Sequence, residues 1–366
     1  MVGVNWYRTS ALKLYNYLIR THWNGEALVG PDPIGKIHWR VTRFVRSYLP
    51  WLPGDDRYIY LQGQAYWIRA NWRLLRQTGN HRYREIIRRC ADYIVHSQPE
   101  DGAWRHPPIW GRRGFISTVE GVWACLGLMK AHEVIGDASY LEAVRRWLEV
   151  QIHTIGFQTV GEGWAVNYYA HSNSKVPNVT TMTIWLFGEM ITKTGETAYV
   201  PYLDRMLRFI QDSQMDNGEL PYALGARPHF MCYQYNAFEF LDLASFFELT
   251  QDERVYPILK RQAAFLQGGL TGRGSCRYNC FKETPEVHYW TAALAAALRK
   301  ASELGLGNYE ALSERAYRYL LGHQQPDGRF YFSEHNYRFL RDRRSYPRYL
   351  AMLLEHLLYR ASGVRQ

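Results

Sequence analysis

Residues 58 to 104 read YIYLQGQAYWIRANWRLLRQTGNHRYREIIRRCADYIVHSQPEDGAW and contain two helical runs, each followed by a turn. The turn after the first run, at residues 78–83, has a threonine, a glycine and then a tyrosine. That turn returns down the chain with a period of about 57 residues, its tyrosines falling at 83, 140, 199, 256 and 309. Because this period is too long for one helix or strand, it predicts one helical hairpin per repeat.

Two kinds of helix alternate along the repeat. One kind is amphipathic, as in LEAVRRWLEV at residues 141–150, and is expected to be wetted on one face. The other is apolar nearly all round, as in VHYWTAALAAAL at residues 287–298, and is expected to be buried. The predicted outer helices lie near 34–49, 81–97, 138–153, 198–213, 253–267 and 309–323. The predicted inner helices lie near 58–77, 117–134, 178–194, 234–249, 287–303 and 345–360.

Six outer and six inner helices predict an all-α fold, an (α/α)6 toroid that occupies residues 1–366 as a single domain. Its six hairpins span residues 34–360, and residues 1–33 add an extra amphipathic helix and a turn around Pro31, Asp32 and Pro33. The last inner helix is expected to close against the first. An open solenoid of helical pairs is the alternative that the period alone leaves open.

Composition and charge limit the possible settings of the protein. Of the 366 residues 47% are hydrophobic, no stretch of eighteen apolar residues occurs, and the first residues lack the pattern of a signal peptide. Five thinly spread cysteines favour free thiols and a cytoplasmic location. The net charge of +10 is scattered, with local clusters at Arg112-Arg113 and over residues 338–348, so an anionic small substrate is expected rather than a nucleic acid. The oligomeric state is left open.

Three loops carry a Gln-x-x-x-Gly-x-aromatic or apolar pattern, at residues 98–104, 214–220 and 324–330. The copy with Gln98, Gly102 and Trp104 resembles the repeat motif of squalene cyclases and prenyltransferase-like toroids. The Thr-Gly-x-x-x-Tyr turn is similar to the turns of six-hairpin glycosidases, sugar epimerases and polysaccharide lyases. These resemblances cover residues 58–360 and imply the α/α-toroid superfamily. Physically, such a loop is expected to tie one hairpin to the next.

The acidic motifs of the terpenoid branch can be compared directly with this sequence. A class II cyclase protonates an alkene with an Asp-x-Asp-Asp motif, but the corresponding helix start here reads Pro177-Asn178-Val179-Thr180-Thr181. Amides and hydroxyls do not supply a strong acid. Asp55-Asp56 lacks the later aspartate of a diphosphate site and is interpreted as the N-cap of the first inner helix. A terpenoid or prenyl substrate is therefore the alternative, supported by the many aromatic residues.

The long outer-to-inner loops share one face with the N-termini of the inner helices, so the site is expected there. Glycan chemistry needs a proton donor and a base, commonly paired carboxylates or a carboxylate with tyrosine or histidine. The candidate catalytic residues on that face are Glu120, Glu286, His288, Tyr168 and His229, and Glu219 is a further loop carboxylate. The candidate substrate-binding residues are Trp104, Asn167, Gln234, Asn236, Glu239 and Arg348.

Each candidate has a simpler interpretation. Glu120 and Glu286 could be helix-capping or dipole partners, and a single histidine is more often a satisfied polar residue than a catalyst. No cofactor is expected, with zinc as a weak alternative at Cys276, Cys280 and His288, to which His229 and Cys232 could contribute from the preceding loop. The predicted function is a carbohydrate-active enzyme on a glycan that can be anionic, acting as hydrolase, lyase or epimerase. A non-catalytic glycan-binding or scaffold module is the second alternative.

Overall fold

The structure is a computed structural model that describes residues 3–31, 37–49, 57–107, 114–226, 229–336 and 338–362. The predicted turn residues Asp32 and Pro33, the aspartates Asp55 and Asp56, and the Arg112-Arg113 cluster lie outside these ranges. Thirteen α-helices and five short strands occur in the described residues. The expected all-α class is confirmed.

The helices alternate between outer and inner members as the sequence predicts. The inner helices are α3 (Leu61–Thr78), α5 (Thr118–Ile135), α7 (Pro177–Thr194), α9 (Cys232–Thr250), α11 (His288–Glu303) and α13 (Pro347–Ala361). The outer helices are α1 (Gly3–Thr21), α4 (His81–His96), α6 (Ala138–Val150), α8 (Val200–Ser213), α10 (Tyr256–Leu266) and α12 (Glu310–His323), and α2 (Ile37–Tyr48) is additional. Inner helices α5, α7 and α13 are buried along nearly their whole length, as their apolar sequences require.

The chain divides into two compact units, and the first consists of residues 1–148, 284–289 and 320–366. In this unit α13 packs against α3, and α3 packs against α5 and α4. The last inner helix therefore lies beside the first, as expected. Helix α1 packs against α13, and its Tyr15 hydroxyl donates to Asn71 on α3.

The role expected for α1 is wrong. The sequence predicts the helix near 34–49 as the first outer helix and the helix near 5–22 as an extra one. Instead Gln324 donates to the Ser10 carbonyl of α1, the same contact that the other Gln loops make with outer helices. Helix α1 is therefore the first outer helix and α2 is the addition. The first inner helix, α3, begins at Leu61 with Tyr60 in the capping position.

The second unit consists of residues 149–283 and 290–319. Helix α9 packs against α7 and α10, and α8 packs against α7 and strand β2. Strands β1 (Phe157–Val160) and β2 (Gly163–Val166) form an antiparallel hairpin around the two-residue turn Gly161-Glu162. Its sequence has two short runs joined by a glycine-containing pair, which is a hairpin signal. The signal is easily overlooked because the surrounding chain has a helical period.

The three Gln loops are built alike. In each, the glutamine side-chain amide donates to the carbonyl of the glycine four residues on and to a carbonyl of the next outer helix. Gln98 binds Gly102 and Ala143, Gln214 binds Gly218 and Ile258, and Gln324 binds Gly328 and Ser10. Each glycine has a positive φ and lies against outer-helix backbone, where a Cβ would come within 3.1 Å, 2.2 Å and 2.3 Å of a carbonyl oxygen, respectively. The loops tie neighbouring hairpins together, as predicted.

No helix in the described part of the chain is long and apolar enough to cross a membrane.

Replacing Gly218 with alanine should destabilise the fold, because its Cβ would lie 2.2 Å from the Arg261 carbonyl oxygen and its φ is +90°. We expect the free energy of unfolding to fall by about 3 kcal/mol, from backbone strain and overpacking together. Gly225 is the matched control, since its φ is +81° but no atom lies within 4 Å of the position that a Cβ would take there. Gly225→Ala should cost only about 1 kcal/mol of strain. Equal losses for the two variants in denaturant titrations would contradict the packing role of Gly218.

Candidate active site

Two buried carboxyl groups lie side by side in a small sheet of the first unit. Strands β3 (Glu286–Val287), β4 (Ser333–Asn336) and β5 (Leu340–Asp342) are antiparallel, and Glu286 is paired directly with Glu334. Directly paired residues of an antiparallel ladder have Cα atoms about 5 Å apart and side chains on the same face. Both glutamates are almost fully buried. The sheet therefore places two buried glutamates at directly paired positions on one face.

The side chain of His335 joins this pair because strand β4 is irregular. Successive residues of a regular strand point to opposite faces, which would separate His335 from its neighbour Glu334. However, the register shifts between Ser333 and Asn336, and His335 has a left-handed φ of +55°. Its Nε2 atom lies 3.6 Å from Oε2 of Glu286. With 39% of its side chain exposed, the imidazole lies between the buried Glu286 carboxyl and solvent.

The environment of Glu334 favours its protonated form. Burial raises the pKa of Glu334, the neighbouring Glu286 adds to the rise, and Arg341 opposes it. The Arg341 Nε atom lies 2.8 Å from the Glu334 carboxylate, on a side chain that is largely exposed. A carboxyl group with a raised pKa is suited to donating a proton near neutral pH.

His288 lies just after Glu286 in the chain, at the first position of α11. Its Nδ1 donates to the Tyr331 carbonyl oxygen at 2.6 Å, which anchors the ring to the loop before β4. Burial lowers the pKa of His288 to about 4. The imidazole is therefore neutral at physiological pH, with its ring orientation held by the backbone.

An aromatic surface adjoins His288. A small cavity is lined in part by His288, Tyr289, Phe332, Tyr346 and Tyr349. The rings of Tyr289 and Tyr349 stack with centroids 3.9 Å apart. The Arg348 guanidinium lies 4.3 Å above the Tyr60 ring and donates to the Tyr349 hydroxyl at 2.6 Å. Flat rings with polar edges and a held guanidinium are groups that recognise sugars and carboxylates.

Two other candidates of the first unit have structural contacts. Glu120 is buried, and its Oε2 accepts a 2.7 Å hydrogen bond from the Leu61 backbone N–H at the start of α3. Tyr60 caps that helix without a side-chain hydrogen bond, so Glu120 supplies the missing acceptor from α5. Trp104 is buried, and its Nε1 donates to the Ile94 carbonyl oxygen. Both residues hold neighbouring helices together.

In the second unit, His229 pairs with the loop carboxylate Glu219. The Nδ1 of His229 donates to Glu219 Oε2 at 2.5 Å, and this bond raises the pKa of His229. Cys280 lies in the same group, with its sulfur within 4.8 Å of the other two ligand atoms. The Cys232 thiol lowers the pKa of Cys280. Cys276, from the predicted zinc set, is instead buried with its N–H bonded to Thr291, outside this group.

The remaining candidates of the second unit differ in their contacts. Asn236 is fully buried and exchanges hydrogen bonds with both backbone groups of Leu220, which fixes the loop that carries Glu219. Asn167 donates to the Ile155 carbonyl oxygen, and Tyr168 packs against Tyr169. Glu239 is fully buried on α9. Burial raises the pKa of Glu239 well above its usual range, and Asp242 and Glu219 add to the rise.

Gln234 is also buried on α9, and its Oε1 makes no hydrogen bond with any residue that the structure describes. The site residues that the sequence analysis missed are Glu334, His335 and Arg341. All three lie in the long loop 324–344, where the adjacent acid and imidazole of Glu334-His335 are the available signal.

No family model matches this chain, and no curated protein matches its sequence. Solved structures do resemble it over nearly its whole length. A cellobiose 2-epimerase from Bacillus thermoamylovorans has 10% identity and a TM-score of 0.73 over 98% of this chain and 99% of its own. A sugar epimerase from a ruminal bacterium has 11% identity and a TM-score of 0.73 over 99% and 100%. A possible member of the GH105 family from Salmonella enterica has 15% identity and a TM-score of 0.71 over 99% and 95%.

These similarities establish the fold class as the (α/α)6 toroid. The predicted fold class is thereby confirmed.

The neutral His288 should make folding sensitive to acid. Its pKa is about 4 in the folded chain against an ordinary 6.5, so the unfolded chain binds the extra proton between these values. Above pH 6.5, His288 therefore does not lower the free energy of unfolding. As the pH falls from 6.5 towards 4, the free energy of unfolding falls by up to about 3 kcal/mol. His288→Gln should flatten that part of the pH profile of the free energy of unfolding. His153→Gln, at a side chain 69% exposed, is the control for the effect of a histidine-to-glutamine substitution as such. A His288→Gln profile parallel to the parent would refute the assignment.

Proposed function

We propose that this protein is a carbohydrate-active enzyme that applies acid–base chemistry to a glycan through Glu286, Glu334 and His335. The observation that carries the proposal is the direct pairing of Glu286 with Glu334, two buried carboxyl groups on one face of a sheet. Folding alone does not require such a pair, because two buried carboxyl groups repel when both are ionised. The epimerase and glycosidase names of toroids with the same fold support the substrate class.

Each group has a role that fits its environment. Glu334, with its raised pKa, is the proton donor. Glu286 is the base or nucleophile, and the half-exposed His335 beside it exchanges protons with solvent. His288 remains neutral and positions the start of α11 against the Tyr331 carbonyl. Hydrolysis, elimination and epimerisation all use a positioned acid and base, and they differ in whether a glycosidic bond is cut by water, cut with formation of a double bond, or left intact.

The sugar is held by the aromatic surface around Tyr289 and Tyr349, and Arg348 binds an acidic substituent. Tyrosine faces stack on the apolar faces of sugar rings, and a guanidinium binds a carboxylate through two parallel N–H donors. The net charge of +10 adds long-range attraction for an anionic glycan. A cytoplasmic location is part of the proposal and is supported by five free cysteines. No contact among the described residues specifically favours a prenyl substrate or a non-catalytic role.

Neutralising either carboxyl group should abolish turnover. Glu286→Gln and Glu334→Gln are expected to lower kcat by at least about 100-fold, because each removes a proton donor or acceptor. The assay incubates the protein with neutral and acidic oligosaccharides and resolves new reducing ends, unsaturated products and epimers by chromatography and mass spectrometry. Glu162→Gln, at a side chain 76% exposed, is the matched control and should retain activity.

Circular dichroism and melting curves must show both variants folded. Full activity of a folded Glu286→Gln or Glu334→Gln variant would refute the assignment of the pair. Oligosaccharide binding without any product in the parent protein would support the binding-module alternative instead.

Replacing Arg348 should separate acidic from neutral substrates. Arg348→Lys keeps the charge but loses the planar pair of donors, so KM for a uronic-acid oligosaccharide should rise about tenfold while kcat changes less. KM for the neutral counterpart should change little. Equal changes in KM for both substrates would indicate that Arg348 supports the Tyr60 and Tyr349 rings and does not read the substrate charge.

A further inference from the structure

Three loop segments of the second unit bring an oxygen, a nitrogen and a sulfur donor together. Glu219 precedes α9 on the Gln214 loop, His229 lies just before α9, and Cys280 comes from the loop after α10. One ligand atom of each lies within 4.8 Å of the other two. These residues take no part in the carboxyl pair of the proposed function, which belongs to the first unit.

The backbone beside two of the three donors is held by hydrogen bonds. Asn236 on α9 binds both backbone groups of Leu220, next to Glu219. Asn279, beside Cys280, accepts hydrogen bonds from the N–H groups of Phe281 and Lys282 and so closes a tight turn. Glu219 and Cys280 therefore lie on loop segments whose backbone is fixed by hydrogen bonds.

The donor set selects among metal ions. Mg²⁺ and Ca²⁺ prefer oxygen ligands, whereas thiolate, imidazole and carboxylate together are ligands of Zn²⁺. Donors bound to a tetrahedral zinc ion lie about 3.3–3.8 Å from one another, so side-chain shifts of about 1 Å bring these three into place. We propose that Glu219, His229 and Cys280 form a Zn²⁺ site in which three protein ligands leave one coordination position open.

An independent observation also points to a cation here. Glu219 is fully buried, and its Oε1 makes no hydrogen bond with any described residue. Both carboxylate oxygens of the buried Glu239 likewise make no hydrogen bond with a described residue. Buried carboxylates are normally satisfied by hydrogen bonds or cations. A divalent ion bound by the Glu219 carboxylate supplies a partner for its Oε1 atom.

The cluster is open to solvent on one side, so a metal ion can enter. The His229 side chain is 31% exposed, and Cys280 is half-buried. Phe230 and Phe281 flank it as exposed rings. When zinc binds, the His229 Nδ1 proton and the Cys280 thiol proton pass to solvent, and Glu219 binds the ion through its carboxylate.

Metal binding is tested on the full chain, stripped with a chelator and then titrated with Zn²⁺ in competition with a chromophoric chelator. We expect one zinc ion per chain and a higher melting temperature with zinc. Titration with Co²⁺ should give the thiolate-to-cobalt charge-transfer absorption in the near ultraviolet. No substrate is present, so the result does not depend on the proposed glycan chemistry.

Variants assign the ligands. Cys280→Ser and His229→Gln should each weaken zinc binding by more than about tenfold, and Cys280→Ser should also abolish the cobalt–thiolate absorption. Cys276→Ser and His153→Gln are the matched controls outside the cluster and should bind zinc like the parent. Melting curves of the metal-free variants identify any that fail to fold, and Glu219→Gln provides a third test if one does.

Three outcomes would overturn the proposal. Zinc binding that is unchanged in both Cys280→Ser and His229→Gln would place the metal elsewhere. No binding by the parent, with a Cys232–Cys280 disulfide in peptide maps, would make the thiols a redox pair. No binding, with selective alkylation of Cys280 that depends on His229, would make Cys280 a nucleophile activated by the histidine.

Discussion

The structure depends on one small device, a glutamine amide that bridges two backbone carbonyls above a glycine with positive φ. The amide satisfies a loop carbonyl and an outer-helix carbonyl at once, and the glycine allows the two backbones to touch. The copy at Gln324 is the most consequential, since it reaches Ser10, 314 residues away in the chain. Its contact makes α1 an outer helix of the repeat, although α2 intervenes before the first inner helix. Three of the long outer-to-inner loops, those that begin at Gln98, Gln214 and Gln324, are thereby anchored at their bases.

Much of the fold could be predicted because the relevant signals are local. The period, the two helix types and the Gln loops all lie within windows of about 57 residues, and the inner helix predicted near 117–134 is found at Thr118–Ile135. The exchange of α1 and α2 has a different cause. Elements that are consecutive in the chain are usually neighbours in space. Sequence order alone therefore predicts that α2, the helix directly before the first inner helix, is the outer partner of that helix. The contact from Gln324 to Ser10, which assigns that place to α1, is a long-range one that no local pattern contains.

The site was predictable only in part, for the same reason. Glu120 and Glu286 are both candidates because they lie near starts of inner helices, yet Glu120 binds the Leu61 N–H and Glu286 pairs with Glu334. The difference depends on which neighbour lies opposite each carboxyl group, and a position on one helix does not contain that information. The inclusion of His335 requires a register shift and a left-handed residue in β4, where regular strand alternation would turn the ring away. Strand pairing across a long loop is therefore the feature of the site that local sequence patterns do not reveal.

The buried carboxyl groups differ in how their charge is compensated. The Glu355 carboxylate on α13 lies 2.8 Å from Arg73 and 3.7 Å from Arg69. Burial raises its pKa, but the two arginines and a hydrogen bond from His356 hold the pKa well below the usual range. A carboxylate paired in this way is ionised, satisfied and chemically inert. Glu334 is also beside an arginine, but burial outweighs the charge of Arg341 and its pKa rises. Glu239, with neither carboxylate oxygen bonded to a described residue, is the extreme case. Burial without full compensation lowers stability, so the raised pKa values of Glu334 and Glu239 mark a cost in stability that the Glu355 arrangement avoids.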